Sequence, residues 1–283
     1  MGLWPRAWSN CAGEEKRLKS NVSGSVSVLI RLIALFALST TAAAADLVAG
    51  ANIGNVPWEF QDASGKFIGF EIDLVKEVGA RLDKSVDVVN IPFNGLFSAV
   101  QSGRIDIALS SITITDKRLR SVAFAQPYYD SAQSLTVLSK NPAGALEDMR
   151  GRVIGVDTGS TGDMWTTSNQ AKYGFSEIRR FEGLASAMLD LQFGRIDGYI
   201  SDIPSLEYFI KDKPYFKVVE RIATGERYSM MFAKGDPLVA DVNRVIVELK
   251  QEGYVAELHE KWFGSTPAET SSTVMVTEQP ATD

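Results

Sequence analysis

The sequence predicts an α/β protein of two similar lobes, each a mostly parallel sheet covered by helices. Three observations predict it. Strand-like and helix-like stretches alternate from residue 46 onward, the tetrapeptide Gly-Arg-Ile-Asp occurs twice, and both copies lie between a helical stretch and a strand-like one.

In chain order, "DLVAGAN" reads as a strand, "GFEIDLVKEVGARLD" as an amphipathic helix and "SVDVVNI" as a strand. "NGLFSAVQSG" is helical, and "IDIALSSI" returns to a strand. The alternation resumes with the strand "RVIGVDT", the helix "DMWTTSNQAKYG", the strand "SEIRRFE", the helix "LASAMLDLQFG" and the strand "IDGYISD". "LVADVNRVIVELKQEGYVAELHEKWF" reads as two helices split at Gly253. The repeat is in register: Ser111 lies eight residues past Gly103, and Asp202 eight past Gly194. "VAGANIGNVPWEF" and "VIGVDTGSTGDMW" form a second matched strand–loop pair.

The ends of the chain differ from this body. "SVLIRLIALFALSTTAAAAD" joins an arginine, a short apolar run and small residues ending in an A-x-A pattern, the layout of an export signal cut before Asp46. Residues 265–283 are rich in Pro, Ser and Thr and read as a disordered tail. The sole cysteine, Cys11, falls in the removed segment, so the remaining chain has no disulfide. Residues 1–45 hold five Lys/Arg against two Asp/Glu, so the charge of −6 for the whole chain becomes −9 without them. An acidic, exported protein is a poor nucleic-acid binder. With His259 as the single histidine, in the charged helical stretch "VAELHEKWF", neither a zinc site nor a Ser-His-Asp triad has its parts. No metal and no cofactor is expected.

Ligands of open parallel sheets sit beyond the carboxyl ends of the strands, which points to loops 52–58, 111–118, 157–163 and 202–204. In "SSITITDKR", Ser111, Thr113 and Thr115 share one face of an extended segment. Thr115 suits a helix N-cap, which puts Arg118 at the third helical position, where the free amides already make a cation unfavourable. A bound carboxylate would reverse that cost; the alternative is a solvated arginine paired with Asp116. "DTGSTGD" offers Ser160, Thr161 and two glycines ahead of a helix, a small anion nest. Asp202, in "SDIP", either caps a helix with Pro204 in its first turn or accepts hydrogen bonds from an ammonium group. Trp58 and Phe93 are pocket walls or core.

The linked runs "GFEIDLVKEV…SGRIDIALSSITITDKRLRSVAFAQPY" and "GRVIGVDTGST…LQFGRIDGYISD" resemble the amino-acid-binding branch of the bacterial solute-binding proteins of ABC importers, family 3, from about Asp46 to Gly264. The resemblance implies the two-lobed periplasmic-binding-protein fold of type II. Lobe 1 would span 46–130 and 227–264 and lobe 2 131–226, with hinge strands near Asp130–Gln133 and Thr224–Tyr228. It implies that Ser111, Thr113 and Arg118, with Ser160 and Thr161, hold an α-carboxylate. Asp202 with Ser111 would hold the α-ammonium, and Phe93 would pack on the side chain. Asn52 stands where relatives for basic amino acids carry an aspartate, and Asn55 where they carry a tyrosine, which favours a polar or neutral ligand unless Asp163 or Glu59 supplies a charge. The expected partners are an amino acid or related zwitterion and the permease and ATPase subunits of an importer, met by a periplasmic monomer. Two rivals stand beside this. One is a dehydratase-like enzyme for prephenate- or arogenate-like substrates, whose "GGTNE"-like loop and "TDxxE" stretch appear here as "GSTGD" and "SDIPSLE", with Glu207 displaced. The other is a ligand-presenting protein for a sensory receptor.

Overall fold

A computed structural model describes residues 45–281; the expected export signal therefore lies outside the described residues, apart from its last position. Two five-stranded sheets organise the chain. The first runs in the order β4 (Val86–Asn90), β1 (Leu47–Ala51), β5 (Ile107–Leu109), β12 (Met231–Ala233) and β6 (Val122–Phe124). The second runs β11 (Phe216–Tyr228), β7 (Tyr129–Leu138), β10 (Gly198–Asp202), β8 (Val153–Asp157) and β9 (Glu177–Phe181). A short hairpin pairs β2 (Phe60–Gln61) with β3 (Phe67–Ile68).

The two sheets follow one plan. β4, β1 and β5 are parallel, as are β9, β8 and β10. Beyond each trio lies an antiparallel strand, β12 in the first sheet and β7 in the second. The sheets are thus mixed, where the alternation of strands and helices predicts mostly parallel ones. The antiparallel strand is the one by which the chain enters that sheet: it crosses over between β6 and β7 and returns between β11 and β12. Two long strands follow from this. β7 and β11 pair from Phe216↔Leu138 to Tyr228↔Tyr129, with a register shift between Ile222 and Glu226, and the expected hinge segments lie within that ladder.

The helices cover the sheets by ordinary amphipathic burial. In α1 (Phe70–Arg81) a stripe of Phe70, Leu74, Val75 and Val78 is buried, and in α7 (Leu238–Gln251) it is Val239, Val242, Val245, Ile246 and Leu249. Each such side chain contributes about 1.5–3 kcal/mol on full burial. Gly253, at φ 85°, breaks the C-terminal helical stretch into α7 and α8 (Tyr254–Phe263), as the sequence indicates. The remaining helices are α2 (Phe93–Gln101), α3 (Asp116–Leu119), α4 (Thr161–Tyr173), α5 (Leu184–Gln192) and α6 (Ile203–Ile210).

The repeated tetrapeptide does the same job twice. Gly103 and Gly194 adopt left-handed conformations at φ 71° and 68° and end the preceding helices. Asp106 Oδ2 accepts the amide of Val48 at 2.7 Å, and Asp197 Oδ2 that of Val153 at 2.9 Å. Ile105 and Ile196 then press on the neighbouring strands so closely that a Cβ on Gly50 or Gly155 would lie 2.5 Å from the isoleucine Cδ1.

The tail is not disordered. Residues 265–281 pack on the body, with Ser272 and Thr273 buried. Ser272 donates through its amide and hydroxyl to Asp130 at 2.7 and 2.5 Å. Lys250 donates to Met275 O at 2.9 Å, to Pro127 O at 2.7 Å and to Gln126 Oε1 at 2.8 Å. Composition alone misreads the segment because the amide and hydroxyl of Ser272 and one buried ammonium anchor it, not apolar mass.

Candidate functional site

The strand ends of both sheets meet around a cavity of about 290 Å³ lined by residues of both. From the first sheet come Asn52, Asn55, Phe93, Ser111, Thr113 and Arg118; from the second come Asp157, Ser160, Thr161, Glu182, Ser201 and Asp202. Eight of the nine residues singled out from sequence are therefore brought together.

Arg118 is the cation of this cavity. Thr115 caps α3, accepting the Arg118 amide at 3.2 Å, so the arginine does occupy the third helical position. Its guanidinium is not solvated beside Asp116. The residue is 6% exposed, donates to Thr113 O at 2.7 Å and to Gly159 O across the cleft at 3.4 Å, and lies over the rings of Phe97 and Phe93 at 5.0 and 5.6 Å. No carboxylate among the described residues pairs with it. Burial lowers its pKa to about 10, while Glu226 and Asp202 oppose the shift, so it stays charged at neutral pH.

Opposite stands the start of α4. Ser160 is its N-cap, accepting the Asp163 amide at 3.0 Å, and Thr161 Oγ1 lies 3.5 Å from Thr113 Oγ1. The first-turn amides have no intrahelical partner and carry the positive end of the dipole. Arg118 and α4 thus aim positive potential at one place from two sides.

Asp202 precedes α6, yet its side chain makes no cap. It accepts from Gln133 Nε2 at 2.6 Å and from Ser111 Oγ at 3.1 Å. Burial first, and then the Glu226 carboxylate, raise its pKa to about 8. A cationic neighbour would restore its charge. Ser111 itself is held at φ 45°, a sparsely populated conformation for a residue with a Cβ. Its amide is fixed by the buried Glu71 carboxylate at 2.9 and 3.0 Å, and Glu71 also accepts from Tyr128 Oη.

Trp58 is a correction. It does not line the cavity: its indole is fully buried among Phe70, Tyr129, Tyr228 and Phe263, with ring centroids 4.6 to 5.5 Å away. Its Nε1 donates to Ser205 Oγ at 2.9 Å, and Ser205 donates to Asn55 Oδ1 at 3.0 Å. The side chain packs behind the site and reaches it through this relay. Nor do Asp163 or Glu59 charge the cavity. Asp163 is paired with Arg180 at 2.8 Å. Glu59 is fully buried, accepting from Ser110 and Asn55, and burial with the adjacent Glu71 charge pushes its carboxyl well above the usual range.

Sequence reasoning misses Asp157. It ends β8 and lines the cavity, with Oδ2 accepting from Tyr199 Oη at 2.5 Å and Ser201 Oγ at 3.3 Å. Burial raises its pKa to about 6 although both hydrogen bonds favour the ionised form. The matched strand–loop pair places it opposite Asn52, a signal that the sequence carries without showing which polar residue reaches inward.

With this geometry in view, the chain matches the bacterial extracellular solute-binding proteins, family 3, over residues 47–265. It belongs to that family. The histidine-binding periplasmic protein of Escherichia coli K12 is 30% identical over 240 residues, covering 80% of this chain and 92% of that protein. An ancestral arginine-binding protein, solved bound to arginine, is 31% identical with a TM-score of 0.74, covering 77% of this chain and 98% of its own. A second solved relative is an ancestral amino-acid-binding protein described as a precursor of cyclohexadienyl dehydratase; it is 32% identical, with a TM-score of 0.71 and coverage of 77% and 95%. The fold is that of the type II periplasmic amino-acid-binding proteins.

Proposed function

We propose that this protein binds an α-amino acid or a related zwitterion in the cleft, outside the cytoplasm, and presents it to the permease and ATPase subunits of an ABC importer. The observation that carries this reading is the pairing of opposite charges within one cavity: Arg118 with the α4 N-terminus on one side, Asp202 with Ser111 on the other. A carboxylate would lie between Arg118, Thr113, Ser160 and Thr161. An ammonium would lie at Asp202 and Ser111, with Phe93 beside the stem and Asn52 at the rim. The contacts Ser111–Asp202, Thr113–Thr161, Asn55–Ser205 and Arg118–Gly159 bridge the two sheets. A ligand held from both sides therefore favours the closed arrangement by its differential affinity. Residues 1–45 would direct export and be removed before Asp46. The strands β7 and β11 would carry the hinge.

One observation favours a second reading, an enzyme of the dehydratase type: two carboxyls with raised pKa values share the cavity, and one solved relative is a dehydratase precursor. Against it, Glu207, the glutamate nearest to the dehydratase-like stretch, lies outside this cavity in an exposed groove beside Tyr129 and Trp262. Isothermal titration of the ligand-stripped protein with amino acids decides between the two. The expected result is tight binding without turnover, weakened at least about a hundredfold in Arg118→Ala, in keeping with the ~2–5 kcal/mol for breaking a buried charge pair. Equal affinity in that variant removes the carboxylate assignment, and turnover of prephenate or arogenate establishes the enzyme.

A further inference from the structure

The charges lining the cavity do not balance. Among its described lining residues, Arg118 is the single cation, against the carboxyls of Asp157, Glu182 and Asp202. A zwitterion supplies one carboxylate to Arg118 and one ammonium to Asp202, which leaves Asp157 and Glu182 uncompensated. Neither forms an ion pair among the described residues. Asp157 Oδ1 is shut off from solvent and has no hydrogen-bond partner among the described residues, although Tyr199 and Ser201 fix the other oxygen. A buried acceptor left open is costly. Because Oδ1 is closed to water in this structure, a ligand donor relieves that cost once the Asp157 carboxylate turns toward the cavity that the residue lines.

The placement is directional. Ser201 adjoins Asp202 on β10, and its hydroxyl reaches Asp157 on β8, so Asp157 lies next along the strand ends from the ammonium position. Glu182 follows β9, the next strand outward, and its Oε1 accepts from Thr158 Oγ1 at 3.1 Å. Across the cleft, Asn52 Nδ2 lies 4.0 Å from where a Cβ on Gly183 would stand, which places the Glu182–Gly183 turn against the first half. Acceptors thus run from a shielded floor to an exposed rim along one wall.

We propose that Asp157 and Glu182 form the side-chain subsite of this cavity and select an amino acid with a cationic side chain, an ammonium or a guanidinium. The inference rests on the zwitterion reading and narrows its substrate class, replacing the polar or neutral ligand that Asn52 suggests with a basic one. Asp157 supplies the shielded contact, and Glu182, open to solvent, supplies a weaker screened attraction.

The test is titration with pairs that differ chiefly in charge: L-arginine against L-citrulline, and L-lysine against L-norleucine. The expected result is at least one basic member binding about a hundredfold or more tighter than its neutral counterpart, and the better of the two identifies the cation. Asp157→Asn shrinks that ratio at least about tenfold, within the range for a desolvated charge pair. Glu182→Gln, at an exposed position that asks little of folding, shrinks it about two- to fivefold. Neutral members binding as tightly as basic ones, with affinity still dependent on Arg118, overturn the subsite and leave the amino-acid reading standing. An unchanged ratio in a folded Asp157→Asn protein also overturns it. Failure of every α-amino acid to bind overturns both.

Discussion

The two halves share their scaffold and differ in their chemistry. Both use a left-handed glycine, an isoleucine pressed on a glycine of the adjacent strand, and an aspartate tying the edge of that strand. At the carboxyl ends of the same strands the likeness stops. Eight residues past the glycine, the first half has Ser111 and the second Asp202. The end of β1 leads to Asn52, whereas β8 ends in Asp157. The first half contributes the guanidinium and the second all three carboxyls that line the cavity. What recurs is what holds sheet and helix together; what diverges is what faces the ligand. A charged ligand caught between unlike walls has one orientation in which both ends are satisfied.

Asp202→Asn is the sharpest way to test that division, and among changes in the second half it should have the largest effect. Affinity for an amino acid falls at least about thirtyfold, because the ammonium loses its ionic partner. The stability of the ligand-free protein moves the other way. Asp202 has a folded pKa raised to about 8 from 3.8. Its contribution is therefore fully present below about pH 4 and is lost as pH rises through 8. The asparagine variant escapes this loss, so its thermal midpoint exceeds that of the parent at pH 8 by more than at pH 5. Thermal unfolding at the two pH values checks the sign. A variant that binds normally, with a flat difference, would make Asp202 a structural residue like its scaffold neighbours.

The scaffold itself should answer alike in both halves. Ala at position 50 or 155 brings a Cβ to 2.5 Å from an isoleucine Cδ1, with a second side-chain atom at 3.1 or 3.0 Å. Gly50→Ala and Gly155→Ala each cost about 1–3 kcal/mol by overpacking. Because Gly155 also meets aromatic carbons of Phe181 and Tyr199, it should cost the more of the two. Urea unfolding of both variants measures the difference. A large cost in one half and none in the other would show that the repeat is one of sequence and not of packing.

The repeat explains how much of the fold is legible in the sequence. The elements with local signatures, such as α1, α7 and the trios β4-β1-β5 and β9-β8-β10, are visible as alternation, because each buries an amphipathic face. β7 and β11 are not, since their residues pair across a separation of about ninety positions and most of β7 is buried whether polar or apolar. The site is legible in its charged ends. Arg118 sits where a cation is locally unfavourable, and Asp202 occupies a cap position without capping. Glu71 is hidden, a glutamate in an apparently exposed helical turn that tertiary packing buries completely and turns onto Ser111. Trp58 misleads for the same reason: an aromatic beside a strand end looks alike whether it faces the cavity or the core.

The tail gives the smallest expected effect and concerns the crossing by which the chain passes from the first half into the second. Its Ser272 amide and hydroxyl hold Asp130, at the start of β7, and its Met275 carbonyl accepts from Lys250 of α7. Burial lowers the Lys250 pKa to about 7, with Asp130 opposing the shift. Truncation after Gly264 opens this lysine to water and removes six hydrogen bonds between the tail and the body, several of them at exposed positions. Each is worth about 1 kcal/mol or less before the entropy of ordering the segment is subtracted. The net loss is therefore about 1–2 kcal/mol in unfolding, read by urea titration. Amino-acid affinity should stay within about twofold, since no tail residue lines the cavity. A larger loss of affinity with stability unchanged would show instead that the segment sets the balance between open and closed arrangements through Asp130, which would place a control element outside both halves of the repeat.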